Sequence, residues 1–140
     1  MTQLNPYLNF NGNAEEAFNH YRSVFGGDFA AVMRWGDNPD ACGQFPDLNK
    51  SAIMHIALPV GDSVIMASDS PMGPVSEGNN FSVAIGPKSR EEADRLFAGL
   101  SEGGNVTCPM QEMFWGGYFG SFTDKFGIQW LINYTEQNVG

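Results

Sequence analysis

The chain has 140 residues, 42% of them apolar and 13% aromatic, which is enough to bury the core of one domain without disulfides or structural metals. Its 16 acidic side chains outnumber its 7 basic ones and give a formal net charge of −9. An acidic chain is repelled by phosphate backbones and by anionic membrane surfaces, so the charge balance argues against nucleic-acid and membrane partners.

The first half of the chain begins with the pattern of a strand, a turn and an amphipathic helix, over residues 5–27. Asn13 stands at the N-cap position of the helix, and the Gly26-Gly27 pair ends it. Apolar positions recur along the helix at steps of three and four residues, as expected for one buried face. These positions are Ala14, Ala17, Phe18, Tyr21, Val24 and Phe25.

Strand-type sequence follows this helix in three runs, at 29–35, 51–60 and 63–69. A loop rich in Gly, Pro and Asp, at 36–50, separates the first run from the second. The Gly61-Asp62 pair joins the second run to the third as a hairpin. The first half therefore predicts a βαβββ module.

The second half repeats this order of elements. Residues 80–104 predict a strand, a turn and a helix with Ser89 as its N-cap. Strand-type runs follow at 105–110, 118–123 and 128–134. The second half is therefore a second βαβββ module.

Matched residues indicate that the two modules are a duplicated unit. Glu-Glu-Ala triplets at 15–17 and 91–93 fall at the same place in each half. We predict an α+β fold in which a single domain, residues 1–140, contains modules at about 1–69 and 80–140, joined by a linker at 70–79. The aligned pairs are Asn5 with Asn80, Leu8 with Val83 and Phe10 with Ile85.

Side chains that alternate along the strands divide the sheet into an apolar face and an uncharged polar face. In the fifth strand, Phe81, Val83 and Ile85 alternate with Asn80 and Ser82. The polar face is either an ordinary solvated surface or, if the sheets curl, a cavity wall suited to neutral hydrogen bonding. Its members are Asn5, Asn9, Asn80, Ser82, Gln129 and Asn133.

The two cysteines, Cys42 and Cys108, form neither a CxxC motif nor a His/Cys cluster. This pattern is typical of free thiols in a reducing compartment, with a disulfide between them as the alternative. The N-terminal stretch MTQLNPYLNF lacks the basic and apolar regions of a signal peptide, and the longest apolar run, 52–60, is too short to span a bilayer. We expect a cytoplasmic protein.

Three stretches of the chain carry a resemblance to a known superfamily: residues 17–27, 54–69 and 114–133. Together with the duplicated βαβββ plan, they resemble the vicinal oxygen chelate superfamily of glyoxalase I, bleomycin-resistance proteins and extradiol dioxygenases, and within it the PhnB-like branch. The resemblance runs from about Asn5 to Asn133. It implies curled mixed sheets around a cavity with the helices outside, and a homodimer.

The resemblance also implies where a metal would bind. Metalloenzymes of the superfamily hold a divalent ion with His, Gln or Glu on the first strand of each module and with Glu, His or Gln on the last strand. In this chain the matching positions are Asn5, Asn80, Leu131 and either Ile65 or Met66. Amides and hydrocarbons are poor ligands for Mg, Mn, Fe, Zn or Ni, so we predict no metal site and no cofactor.

Some PhnB-like relatives are described as demethylubiquinone methyltransferases. This chain has no Gly-rich strand-to-helix loop followed by an acidic ribose partner. A length of 140 residues also leaves no room for a full nucleotide-binding sheet. We therefore do not predict methyl transfer.

Catalytic candidates are weak. His55 lies in an apolar strand, where a histidine satisfied by hydrogen bonding in the core is the alternative to a base or ligand. Glu112 precedes the aromatic stretch 114–133 and Asp124 lies within it, but Asp124 is explained by turn chemistry. No base is visible that would activate Cys108. We retain His55 and Glu112 as catalytic candidates.

Three functions remain open at this point. The first is a metal-free protein that binds a small neutral metabolite. The second is a divalent-metal-dependent lyase, isomerase or dioxygenase, and the third is a regulatory or assembly protein that acts through its aromatic surface. Trp115 beside Gly116-Gly117 either forms the aromatic rim of a pocket, as the first function requires, or simply closes the core. The candidate ligand-binding residues are Asn5, Tyr7, Asn9, Asn80, Ser82, Trp115, Gln129, Leu131 and Asn133.

Overall fold

The computed structural model describes residues 2–37, 49–70 and 74–135. Most of the predicted loop 36–50, Cys42 and part of the linker 70–79 therefore lie outside the described residues. The chain divides into two compact units, Met1–Ser76 and Glu77–Gly140. That the two modules form a single domain stays a prediction.

The first unit contains one helix and four strands. They are β1 (Tyr7–Phe10), α1 (Ala14–Phe25), β2 (Ala31–Arg34), β3 (Ile53–Val60) and β4 (Ser63–Asp69). A 3₁₀ turn at Trp35–Asp37 follows β2, so the predicted strand 29–35 is shorter than expected. The strand order is β1-β4-β3-β2, with β1 parallel to β4 and the other pairs antiparallel.

The second unit repeats this topology. It contains β5 (Val83–Ile85), α2 (Arg90–Ser101), β6 (Asn105–Glu112), β7 (Gly117–Thr123) and β8 (Gln129–Thr135). The strand order is β5-β8-β7-β6, again with a single parallel pair, β5 with β8. The α+β fold of two βαβββ modules is confirmed, and each sheet is an open four-stranded mixed sheet. The cavity that the resemblance implies stays a prediction.

Each helix covers one face of its own sheet. In the first unit, Phe18 is fully buried and makes edge-on ring contacts with Phe10 and Tyr21, with centroid distances of 6.4 and 5.4 Å. In the second unit, Phe97 packs edge-on against Phe122 at 5.1 Å. These aromatic contacts hold the apolar helix face against the sheet. Trp130 and Ile132 are buried, as their position on the apolar face predicts.

Strand β5 is shorter than its sequence pattern predicts. The ladder with β8 begins only at Val83, which is paired with Trp130. Phe81 therefore precedes the strand, and its side chain is 71% exposed. The prediction that Phe81 belongs to the apolar core face was wrong, because side-chain alternation orders residues only where a strand pairs.

The start of α1 is capped from a distant strand. Asn13 occupies the N-cap position but makes no side-chain cap hydrogen bond. Instead, Oδ1 of Asp69 at the end of β4 accepts hydrogen bonds from the backbone N–H groups of Ala14 (2.9 Å) and Gly12 (3.0 Å). In α2, by contrast, Ser89 caps as predicted and accepts from the Glu92 N–H at 3.0 Å. No helix in the described ranges is long and apolar enough to cross a membrane.

Candidate functional site

Each sheet has one face on which no helix of its own unit packs, here called its open face. Strand pairing identifies the residues on the open face of the first sheet, because paired residues share a face. Across the four strands, Tyr7 is paired with Met66, Met66 with Ala57, and Ala57 with Ala31. Tyr7 is 46% exposed and Met33 is 40% exposed there. The side chains of this open face are Tyr7, Asn9, Ala31, Met33, His55, Ala57, Pro59, Val64, Met66 and Ser68.

The open face of the second sheet lies opposite α2. Leu131 is its central residue, paired with Ala84 on one side and with Ser121 on the other. Asn133 is paired with Phe119 on the same face. Its side chains include Ala84, Asn105, Cys108, Gln111, Phe119, Ser121, Thr123, Gln129, Leu131, Asn133 and Thr135. Cys108 is a free thiol.

Neither open face carries an Asp, Glu, Lys or Arg side chain in the described strands. The strands contain only three such residues, and each bonds to a partner at a helix. Arg34 donates to Glu15 of α1 at 3.0 and 2.7 Å, which lowers the pKa of Glu15 and raises that of Arg34. Asp69 caps α1 and Glu112 pairs with Arg90 of α2.

A tyrosine and a histidine lie together on the open face of the first sheet. The Tyr7 hydroxyl lies 3.5 Å from Nδ1 of His55, and the two rings are stacked with centroids 5.9 Å apart and planes 28° apart. The contact places a hydroxyl group from β1 and an imidazole ring from β3 side by side on this open face.

Three aromatic rings are arranged in a row at the start of β7. Phe114 and Trp115 are in edge-on contact at 5.3 Å, and Trp115 and Phe119 are in edge-on contact at 6.0 Å. Phe114 is 98% exposed and Trp115 is 52% exposed. Trp115 is therefore not enclosed in the core of the second unit, and its role as the rim of a pocket stays a prediction.

The Trp115 indole lies against Gly117 beside the amide of Asn133. A Cβ atom added at Gly117 would lie 2.4 Å from Nε1 of Trp115 and 2.6 Å from Oδ1 of Asn133. The Asn133 oxygen is buried and has no hydrogen-bond partner among the described residues. A buried acceptor without a donor costs about 1–3 kcal/mol, so this oxygen requires an explanation.

The other amide side chains of the predicted site either bond to the backbone or are exposed. Oδ1 of Asn5 accepts the Val64 N–H at 3.1 Å, which attaches the segment before β1 to β4. Nε2 of Gln129 donates to the Gly78 carbonyl. Asn9 is exposed on its strand, and Asn80 and Ser82 are exposed before β5 begins. The structure thus brings together Trp115, Leu131 and Asn133 from the predicted set, whereas Tyr7 lies in the other unit.

The residues at the superfamily's metal positions do not fit a divalent ion. Ile65 is buried on the helix side, so Met66 is the residue that lies on the open face. Leu131 is a hydrocarbon, and the Asn5 oxygen already binds a backbone N–H. Within residues 2–37, 49–70 and 74–135, no three His, Cys, Asp or Glu side chains are placed to hold a metal ion.

The two catalytic candidates lie in different units. Glu112 is paired with Tyr118 on the helix side of the second sheet, not on the open face. Its partner Arg90 lies 4.5 Å above the Tyr118 ring, and the Tyr118 hydroxyl donates to Asp94 at 2.6 Å. This hydrogen bond raises the pKa of Tyr118. Glu112 is therefore part of a surface network that joins α2 to β6 and β7.

Phe119 was not among the predicted site residues, although it lies between Trp115 and Asn133 on the open face. The sequence signal for Phe119 was its spacing of two residues from Ser121 along β7, which places both side chains on one face. That signal becomes readable only when the register with Leu131 and Asn133 is known.

Known proteins resemble this chain along nearly its whole length. A family model described as 3-demethylubiquinone-9 3-methyltransferase matches residues 2–133. Protein YjdN of Escherichia coli (strain K12) is 32% identical over 144 residues, with 96% of each chain covered. Protein PA1353 from Pseudomonas aeruginosa has a crystal structure with a TM-score of 0.83 at 40% identity, covering 96% of this chain and 98% of that one.

More distant structures show the same fold. The putative 3-demethylubiquinone-9 3-methyltransferase, PhnB protein, from Bacillus cereus gives a TM-score of 0.77 at 22% identity, with coverage of 96% and 100%. A glyoxylase/bleomycin resistance protein/dioxygenase domain from Frankia sp. EAN1pec gives 0.67 at 14% identity, with coverage of 99% and 95%. The chain therefore belongs to the family described as 3-demethylubiquinone-9 3-methyltransferase, as a PhnB-like protein of the glyoxalase/bleomycin resistance/dioxygenase fold.

Proposed function

We propose that this protein binds a small, uncharged, partly aromatic molecule on the open face of its second sheet, without the metal ion of the superfamily's enzymes. The observation that carries the proposal is that the described strands place no charged side chain on that face, although the chain has a net charge of −9. Trp115, Phe119 and Leu131 supply apolar contact area, and Asn133 supplies a hydrogen-bond acceptor.

The charge distribution supports a surface that is covered in use. Sheet faces in contact with water are usually polar, with long charged side chains among their residues. Here Arg34, Asp69 and Glu112 all bond at the helix side instead. Removing water from an uncharged face avoids the large cost of burying unpaired ions. Such a face favours a neutral ligand over an anion or a cation.

The family's descriptive name refers to methyl transfer, but the topology supports binding instead. A dinucleotide-type cofactor site lies at the carboxyl ends of adjacent parallel strands, beside a Gly-rich loop that begins a helix. Each sheet here has one parallel pair, at its edge. The turn between β1 and α1 is Asn11-Gly12-Asn13, and the N–H groups of Gly12 in this turn and of Ala14 at the start of α1 donate to Asp69.

The test compares a neutral and an anionic ligand of the same ring size, 2-naphthol and 2-naphthalenesulfonate, by isothermal titration calorimetry. The protein is first dialysed against a chelator, and its metal content is measured by mass spectrometry. We expect 2-naphthol to bind the metal-free protein at least tenfold more tightly than the sulfonate. Equal affinities, no binding of 2-naphthol, or binding only after a divalent ion is restored would contradict the proposal.

A matched pair of variants locates the binding face. Leu131→Glu introduces a negative charge at the centre of the open face, and Leu131→Gln has nearly the same shape without the charge. We expect the Glu variant to lose binding of 2-naphthol at neutral pH and the Gln variant to retain most of it. Glu112→Gln, which removes a charge on the helix side, should leave the affinity unchanged.

A further inference from the structure

We infer that Oδ1 of Asn133 is the acceptor for an N–H or O–H donor of a planar aromatic ligand, and that the Trp115 indole covers this oxygen until the ligand binds. The inference rests on the proposed function and names the ligand class of the same site: an uncharged, planar aromatic molecule with one hydrogen-bond donor.

The first observation is the state of the Asn133 amide. Its oxygen is the buried side-chain nitrogen or oxygen for which the described part of the chain supplies no partner. The two buried carboxylates of the described residues are fully used: Asp69 accepts three backbone N–H groups, and Asp124 accepts two backbone N–H groups and the Trp130 indole N–H. In a chain that satisfies its buried carboxylates so completely, a single unpartnered oxygen on the uncharged open face indicates a missing donor.

The second observation is how differently the three tryptophans are held. The Trp130 N–H donates to Asp124 at 2.8 Å, and the Trp35 N–H lies 3.4 Å from the Asp69 carbonyl oxygen. Both of those side chains are buried. Trp115 is half-exposed, and its indole contacts the rings of Phe114 and Phe119 edge-on and lies next to Gly117.

The turn that carries Trp115 is closed by backbone groups alone. The Gly116 N–H donates to the Met113 carbonyl at 2.9 Å, and the Met113 N–H donates to the Gly117 carbonyl at 2.8 Å. Gly116 has a φ of +95°, a conformation that suits glycine. Because these bonds do not involve the side chain, the indole can rotate away from Asn133 without breaking the turn.

The ligand class follows from what surrounds the oxygen. Phe119 offers a ring for edge or face contact, and the displaced indole offers a second ring, so a planar aromatic molecule fits best. The acceptor needs a donor on that molecule. No Asp, Glu, Lys or Arg side chain of strands β5 to β8 as described lies on the open face, so a charged ligand would be desolvated there without an ion partner from these strands.

Indole and benzofuran test this inference, because they share one shape and differ in that only indole has an N–H donor. Their affinities are measured by titration of the ¹⁵N-labelled chain, with the side-chain N–H signals of Trp35 and Trp130 reporting that each variant is folded. We expect indole to bind the unmodified chain about tenfold more tightly than benzofuran and to shift the Trp115 signal most.

Two matched substitutions assign that preference. Asn133→Leu keeps the volume but removes the acceptor, so indole and benzofuran should bind equally, and the midpoint of thermal unfolding should rise because no unpartnered acceptor remains. Asn105→Leu changes an exposed amide elsewhere on the same face and should keep the tenfold preference.

A third substitution tests the position of the site. Gly117→Ala places a methyl group where the indole and the amide meet, and should lower the affinity for both ligands.

The outcomes separate this inference from the proposed function. If both ligands bind the unmodified chain equally, or if Asn133→Leu keeps the preference for indole, the inference is wrong while neutral-ligand binding stands. If neither molecule binds at millimolar concentration and 2-naphthol also fails to bind, both are wrong.

Discussion

Replacing Asp69 by Ala should be one of the most destabilising single changes in the first unit. The Asp69 side chain is 3% exposed and accepts backbone hydrogen bonds from Gly12 at 3.0 Å, Ala14 at 2.9 Å and Ile53 at 2.8 Å. It thereby joins the end of β4 to the start of α1 and to the start of β3. The substitution removes all three acceptors together.

The magnitude follows from the burial of the donors. Ala14 and Ile53 are fully buried, so their N–H groups would lose their acceptor without gaining water, at about 1–3 kcal/mol each. Gly12 is exposed and is rehydrated at little cost. Removing the charge at the helix N-terminus costs a further few tenths of a kcal/mol or more. The sum is about 2–7 kcal/mol, which corresponds to about 6–25 °C in the midpoint of thermal unfolding for a chain of this size.

Asn13 provides the matched control. From sequence alone Asn13 is the N-cap, so Asn13→Ala would cost about 1 kcal/mol. In the structure its side chain makes no cap hydrogen bond, so we expect the free energy of unfolding to change by less than about 0.5 kcal/mol. Asp69→Asn should fall between these variants, because one oxygen is kept and the new amide N–H₂ faces the Ile53 N–H.

The free energy of unfolding is measured by urea denaturation, with circular dichroism and tryptophan fluorescence as the two signals. The variants are compared only if their m-values are the same. An Asp69→Ala variant that loses less than about 1 kcal/mol would refute the reasoning. So would an Asn13→Ala variant that loses as much as Asp69→Ala.

Two further predictions concern the second unit. Gly104→Ala should cost about 2 kcal/mol or more in urea unfolding, because its Cβ would lie 2.2 Å from the Thr123 carbonyl oxygen and 2.8 Å from Cα of Asp124. Gly86→Ala has open space and should be neutral, so equal effects would contradict the packing. The hydrogen bond to Asp94 raises the pKa of Tyr118, so its contribution to stability is present below pH 10 and is lost as pH rises through the folded-state pKa. An absorbance titration should lose one alkaline-shifted phenol in Tyr118→Phe and show that phenol shifted downward in Asp94→Asn; the same curve for all three chains would refute this.

The duplicated fold was readable from the sequence because its signals are local. Ser89 caps the helix that begins beside it and bonds to Glu92 three residues later. Asp124 accepts from Phe126 and Ile128 within its own hairpin, and Gly127 adopts the positive φ expected of that turn. Helical spacing placed Ala93, Leu96 and Leu100 in the core. Each of these features depends on residues within a few positions along the chain.

The candidate site required the tertiary structure because its contacts join distant segments. The residue type of Asn5 does not show whether its amide is free for a ligand. In the structure, the Asn5 side-chain oxygen accepts a hydrogen bond from the N–H of Val64, 59 positions away. Asp69 caps a helix that begins 55 positions before it. The unpartnered oxygen of Asn133 becomes visible only when β7 and β8 are in register and Trp115 lies over Gly117. The sequence determined the two modules and the hydrocarbon side chain at position 131, whereas sheet pairing decided which polar groups the fold uses and left the Asn133 oxygen without a partner among the described residues.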